Sequence, residues 1–189
     1  EANPVVTEGN LSIATFNVLN YFNGEVTDSG EVTFDYDANR GAEDETEFAL
    51  QEGRIVEAIV GLNADVVGLM EIENDGFGDD SAIQALVTAI NAELAEEEQY
   101  TFVSTADSSI IGTDAITVGL LYRASVVVPA GDAQIVDMPI QQIDEDSVAQ
   151  MRAALVQTFT HVESEKTFAV AVNHFKSKGS ECAEDLAED

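Results

Sequence analysis

Asp65-Val-Val-Gly-Leu-Met-Glu-Ile72 is the stretch on which the architecture turns. Its near-continuous apolar run reads as a strand buried on both faces, the kind a sheet uses when helices or a second layer cover it. Before it, from Glu43 onward, Phe48, Ile55, Val56, Ile59, Val60 and Leu62 fall close to helical spacing, and Gly61 with Asn63 suits the stop. After it, Ser81 is a good N-cap for a second helix with Ile83, Leu86, Val87, Ile90 and Leu94 on one side.

Working outward, Leu11-Ser-Ile-Ala-Thr-Phe-Asn-Val-Leu19 alternates with period two and predicts a strand, with Asn17 near its end. Residues 23–46 carry Gly24, Gly30, Gly41 and several Asp, and predict a long loop or a weak hairpin through Val32, Phe34 and Tyr36. Further strands are expected near 100–104, 115–123, 125–128, 153–162 and 167–175. The order β, α, β, α and then mostly β predicts an α/β layered fold whose sheet is parallel at first and then antiparallel or mixed.

At 189 residues the chain fits one domain, and 45% apolar residues suffice for a core. Charge is the outlier: 37 Asp and Glu against 7 Lys and Arg give a net charge of −30. Such an excess repels bare nucleic acid at low salt and argues against a general coating role. A site that handles anions through a few placed cations and a metal stays open. We read the acidity as adaptation to saline surroundings, with ordinary acidic solubility as the alternative. No apolar run reaches the length of a membrane span, so no membrane partner is expected. Acidic clusters at 43–47, 93–98 and 144–146 read as solvated faces. Glu1 opens the chain with neither Met nor a signal-like segment, as in a processed secreted protein or a trimmed one. The single Cys182 is either a stray thiol or half of a disulfide whose partner lies beyond Asp189.

Chemistry concentrates at two strand ends. Glu71 delivers a carboxylate to the end of the buried run, where it needs a cation; a hard ion such as Mg²⁺ is one solution, a plain strand-end carboxylate the other. Phe168-Ala-Val-Ala-Val-Asn-His174 opens into a loop bearing Lys176 and Lys178, which suits a phosphate or is simply surface. Arg152 and Lys166 are the other cations of the last 38 residues. His161, in mid-strand between Thr160 and Val162, reads as structural.

Asn17 in Ala-Thr-Phe-Asn-Val, Glu71 in Asp-Val-Val-Gly-Leu-Met-Glu and His174 in Val-Asn-His-Phe-Lys-Ser occur in an order and spacing that resemble the endonuclease/exonuclease/phosphatase superfamily, the fold of pancreatic deoxyribonuclease. The strings Leu-Met-Glu-Ile-Glu-Asn74, Gly-Thr-Asp-Ala-Ile116 and Val-Asn-His-Phe-Lys-Ser-Lys-Gly-Ser180 are similar to one branch, the large extracellular bacterial nucleases. The resemblance implies a hydrolase, a metal-dependent phosphodiesterase and secreted endonuclease acting on DNA, with RNA left open. Glu71 and Asn17 would hold Mg²⁺ (or Mn²⁺ or Ca²⁺), and Glu71, Asn17 and His174 would carry catalysis. Arg152, Lys176, Lys178 and Asp114 would meet the substrate phosphate, Asp114 standing where several relatives carry a tyrosine.

The family's later Gly-Asp-x-Asn and Ser-Asp-His motifs do not occur here: Gly131-Asp132 is followed by Ala133-Gln134. Residues 1–189 therefore resemble the N-terminal portion of one domain, half of a two-sheet sandwich. Its partners would be a nucleic acid and the C-terminal remainder of the same polypeptide, linked or not through Cys182. Alone, the segment is expected to be inactive and to leave exposed the face that packs on the second sheet. Alternatives are a phosphatase or lipid phosphodiesterase of the same fold, and a non-catalytic binding module.

Overall fold

The computed structural model describes residues 9–26, 29, 32–34, 41–105, 110–142 and 148–175. Strand β1 (Ile13–Tyr21) is followed by a small hairpin, β2 (Glu25–Val26) and β3 (Val32–Thr33), then helix α1 (Glu45–Leu62), β4 (Val66–Glu73) and α2 (Ala82–Asn91). A 3-10 turn at Glu96–Glu98 leads into β5 (Tyr100–Phe102), β6 (Ile116–Arg123), β7 (Val127–Pro129) and β8 (Gln134–Val136). A hairpin of β9 (Ile140–Gln142) and β10 (Val148–Gln150) precedes β11 (Ala154–His161) and β12 (Thr167–Val172).

The helices start and stop where their capping residues dictate. Asp44 accepts a hydrogen bond from the Glu47 backbone N–H at 2.9 Å, while the Glu47 side chain reaches back to the N–H of Glu43 at 2.8 Å. Asn63 ends α1 in the left-handed region, its N–H shared between Ile59 and Val60 carbonyls. Ser81 caps α2.

Sheet 1 runs β1-β4-β6-β5, with β1 parallel to β4 and the other pairs antiparallel. A parallel β1–β4 pair needs a crossover, and α1 supplies it. Sheet 2 runs β12-β11-β7, with β8 pairing the other half of the same β11 edge. Alternation along β4 feeds two cores. Val67 and Leu69 join Ile55, Ile59, Leu86 and Ile90 under the helices, while Val66 and Met70 join Leu120, Leu155, Phe159 and Val172 between the sheets. The layered α/β sandwich is thus the expected one, helices on one face of sheet 1 and sheet 2 on the other.

One expectation needs correction. The inner face of sheet 1 is not left open, because this chain builds its own second sheet from β7, β8, β11 and β12 and buries Val66, Val118 and Leu120 beneath it. Among the described residues, the side of the sandwich stays open. β1 and β12 each have a single strand neighbour among the described residues, and near them Ile13, Leu19, Leu50 and Phe175 are exposed. Strands β8, β9 and β10 were not expected from sequence, being short and irregular in pattern. Tyr36 lies outside the described residues, and the expected weak hairpin is seen as β2 and β3.

Close approach of the two sheets depends on Gly68. A Cβ there would sit 3.1 Å from Val172 Cγ2, tighter than ordinary van der Waals contact. Gly68 lies three residues before Glu71 and Val172 two before His174, so this contact sets how near those side chains come. Gly68→Val should lower stability by about 1–3 kcal/mol through overpacking and separate the two strand ends; urea unfolding and the loss of Glu71–His174 proximity by NMR check it.

Candidate active site

Topology delivers the sequence-singled residues to one rim. The point in β1 where its ladder with β4 slips brings Asn17, the C-terminal end of β4 brings Glu71, the residues just past β12 bring His174, and the segments preceding β6 and β11 bring Asp114 and Arg152. His174 Nε2 lies 3.4 Å from Glu71 Oε1, and Arg152 Nε donates to Asp114 Oδ2 at 2.9 Å. Asn17 is the register partner of Met70, immediately beside Glu71. Lys176, Lys178 and Cys182 lie outside the described residues.

Glu71 reaches the rim because β4 breaks its own alternation there. Pairing with β6 shifts register between Met70 and Ile72, and Glu71 adopts φ 65°. Met70 packs between the sheets and Ile72 under the helices, leaving the extra residue unpaired and re-aimed, as a bulge does. A left-handed glutamate costs roughly 1–2 kcal/mol, strain of the sort held at functional sites. β1 shows the matching irregularity: its register slips between Asn17 and Tyr21, Leu19 and Asn20 are both left-handed, and Asn17 Oδ1 accepts from the Leu19 N–H at 2.8 Å.

Each of the three residues after Ile72 fastens a neighbouring segment. Glu73 Oε2 accepts from the Asn23 N–H beyond β1, Asn74 binds the 111–114 loop, and Asp75 Oδ2 accepts from the Ala82 N–H at the start of α2. Burial first, then the nearby Asp75 charge, pushes the Glu73 carboxyl up to about 7. Sequence reading passed over Asn74, although it lies in the quoted string Glu-Ile-Glu-Asn; a carboxamide one residue past a strand that must meet an irregular loop was the available signal.

Burial holds the His174 imidazole below its ordinary pKa, and the Arg152 charge adds to this, against the opposing pull of Glu71 and Asp114. Its Nδ1 is buried and has no hydrogen-bond partner among the described residues. His161, by contrast, is 6% exposed with Nδ1 hydrogen-bonded to Ser164 Oγ, consistent with a structural role.

The donor set fits a hard cation with few protein ligands. Glu71 gives a carboxylate whose side chain is 19% exposed, Asn17 on the adjoining strand gives a carboxamide oxygen that already accepts from the Leu19 N–H, and Mg²⁺-like ions take one or two carboxylates and keep several waters. Among the described residues no cluster of three or more His, Cys, Asp or Glu forms.

No protein-family model and no curated protein sequence matches the chain. Among solved structures it is similar to the human Nocturnin catalytic domain with bound sulfate anion, at 15% identity and a TM-score of 0.51 over 89% of this chain and 51% of that one. It is equally similar to humanized D. rerio TDP2, at 19% identity and a TM-score of 0.51 over 89% of this chain and 49% of that one. At this level the likeness is one of fold, and it is the endonuclease/exonuclease/phosphatase fold that the ordered motifs implied. The chain spans about half the length of both structures.

An imidazole kept neutral by burial destabilises the fold when it must charge. The unfolded state then binds more protons than the native one between the lowered pKa and about 6.5, so this contribution to stability is lost as pH falls through that window. In the metal-free protein, Arg152→Ala should raise the His174 pKa and Glu71→Gln should lower it further; NMR titration of the ring carbon protons reads both signs.

Proposed function

We propose that this chain is the N-terminal part of a divalent-metal-dependent phosphodiesterase, a secreted nuclease that hydrolyses DNA. The observation that carries the reading is the convergence of Glu71, His174 and the Arg152–Asp114 pair on one rim of this fold, beside the Asn17 irregularity.

Glu71 and Asn17 would hold Mg²⁺, or Mn²⁺ or Ca²⁺ in its place. When bound, such an ion neutralises charge on the phosphate oxygens and lowers the pKa of a coordinated water. Arg152, its Nε engaged by Asp114, turns its terminal guanidinium nitrogens to the phosphate, a fork suited to two oxygens at once. Asp114 accepts from Ile116 N–H through Oδ1 and from Arg152 through Oδ2, so it supports the phosphate site by aiming the arginine. His174, neutral at pH 7, offers Nε2 as a hydrogen-bond donor to the phosphate. Lys176 and Lys178 follow His174 closely in sequence and add positive charge for the nucleic-acid strand.

Hydrolysis also needs groups that position the attacking water and protonate the leaving oxygen. We assign these to the remainder of the polypeptide, which would close on the open side of the sandwich along β1 and β12, with Cys182 as its covalent tether. In the complete protein, Glu71→Gln should cut turnover of linear and circular DNA by roughly 100-fold and raise the Mg²⁺ needed for half-maximal activity. Wild-type-like turnover at limiting Mg²⁺ would remove the assignment. Sphingomyelin and inositol phosphates in the same assay separate a nuclease from a lipid or small-phosphate hydrolase.

Net charge sets the working conditions. With 37 acidic residues the native state repels itself at low salt, and the Debye length contracts to about 3 Å at 1 M. The melting temperature should therefore rise between low and molar NaCl, while phosphate contacts weaken over the same range. Calorimetry and initial rates across the series check this, and a flat or falling melting temperature would count against a saline habitat.

A further inference from the structure

The loop that carries Asp114 is anchored by the Ile111 side chain, buried between the sheets, and its backbone is gripped by the Asn74 side chain. Asn74 Nδ2 donates to the Ile111 carbonyl at 2.9 Å and to the Asp114 carbonyl at 2.8 Å, and Asn74 Oδ1 accepts from the Ile111 N–H at 2.8 Å. The Asn74 backbone N–H adds a bond to Ala115 O at 2.9 Å. A single carboxamide thus reads both ends of the 111–114 turn, in which Gly112 takes φ +70°. Such a turn has no ladder to fix it, so its position is whatever its side-chain partners impose.

From this turn Asp114 reaches across to sheet 2. Its Oδ2 takes the Arg152 Nε–H at 2.9 Å. Arg152 itself lies in the irregular segment between β10 and β11, two residues before the first ladder residue of β11. The guanidinium is therefore aimed by Asp114, and Asp114 is carried on a turn whose depth Ile111 sets by burial and whose backbone Asn74 orients through three hydrogen bonds. Asn74 in turn lies just past β4, three residues after Glu71.

We propose that Asn74 is a positioning residue for the phosphate-binding arginine: it fixes the 111–114 turn so that Asp114 aims Arg152 in register with Glu71. The inference rests on the phosphodiesterase reading above and deepens it, by naming what couples the carboxylate strand of sheet 1 to the cation of sheet 2. A carboxamide is required at this position. An aspartate of the same shape keeps the acceptor for Ile111 N–H but loses both donors and sets a negative charge against two carbonyl oxygens.

The test uses the complete polypeptide with Asn74→Asp, and Asn74→Ser as a second variant with far less charge perturbation. The first readout needs no activity: solvent exchange of the Arg152 Nε–H by nitrogen-edited NMR, the signal assigned by its loss in Arg152→Lys. Exchange should quicken about tenfold as the Asp114 bond loosens, with the far-ultraviolet circular dichroism unchanged. The second readout is kinetic, on DNA with Mg²⁺: KM should rise about tenfold with a smaller fall in kcat, and the same substitution in an Arg152→Ala background should add nothing further. Unchanged exchange overturns the proposal, as does a full additive penalty in the Arg152→Ala background. Failure of both variants to fold also overturns it, by showing that the clamp serves the fold and not the arginine. If the wild-type protein hydrolyses no phosphodiester, the functional reading falls, and the Nε–H exchange still decides whether Asn74 places Arg152.

Discussion

The left-handed glutamate at the end of β4 is the constraint on which the rest of the rim depends. A strand buried on both faces has no direction in which to send a carboxylate except along its own axis, because either side would strand a charge in apolar surroundings. The bulge between Met70 and Ile72 resolves this by taking one residue out of the ladder. Its local strain is offset by what flanks it. Met70 and Ile72 are anchored in different cores, and Glu73, Asn74 and Asp75 each hold a separate segment. The carboxylate is therefore placed by packing on one side and by three loop attachments on the other.

Electrostatics at the rim run against the character of the molecule. The chain carries −30 overall, yet the described rim couples two carboxylates to one guanidinium and a neutral imidazole, so its local charge is small. A cation seated at Glu71 would tip it positive, which is what an anionic substrate requires. Arg123 shows the contrasting use of a scarce cation. It is buried, lies 4.9 Å over the Tyr100 ring and leaves Nε and Nη2 without hydrogen-bond partners among the described residues, a packing role at the end of the sheet remote from Glu71.

Among the described residues the sandwich is sealed within and open at its side. Its inter-sheet core is sealed by Leu120, Leu155 and Phe159, whereas the groove between β1 and β12, of about 280 Å³, is lined by apolar groups such as Ile13, Met70, Val170 and Phe175. A larger cavity of about 490 Å³ lies on the other flank of β1 against α1, with Leu19 and Leu50 exposed at it. Together with a length about half that of similar folds, these open strand edges are consistent with the proposal that further chain completes the domain.

The sequence by itself determined the layered α/β class and the two helices, and it pointed to strands β1, β4, β5, β6, β7, β11 and β12, because hydrophobic period, the Asp44 and Ser81 caps and the Asn63 stop are local signals that need no distant partner. It also singled out Glu71, His174, Arg152, Asp114 and Asn17 through an ordered set of motifs. Tertiary structure alone decided that these residues meet, that Asp114 spends its carboxylate on Arg152, and that a second sheet formed within the chain. A short strand such as β8 carries too few residues to show a period, and pairs only along the edge that β11 offers it. Asn74 escaped notice for a related reason. A carboxamide's role lies in which backbone it faces, and the backbone it faces here is about 40 residues away.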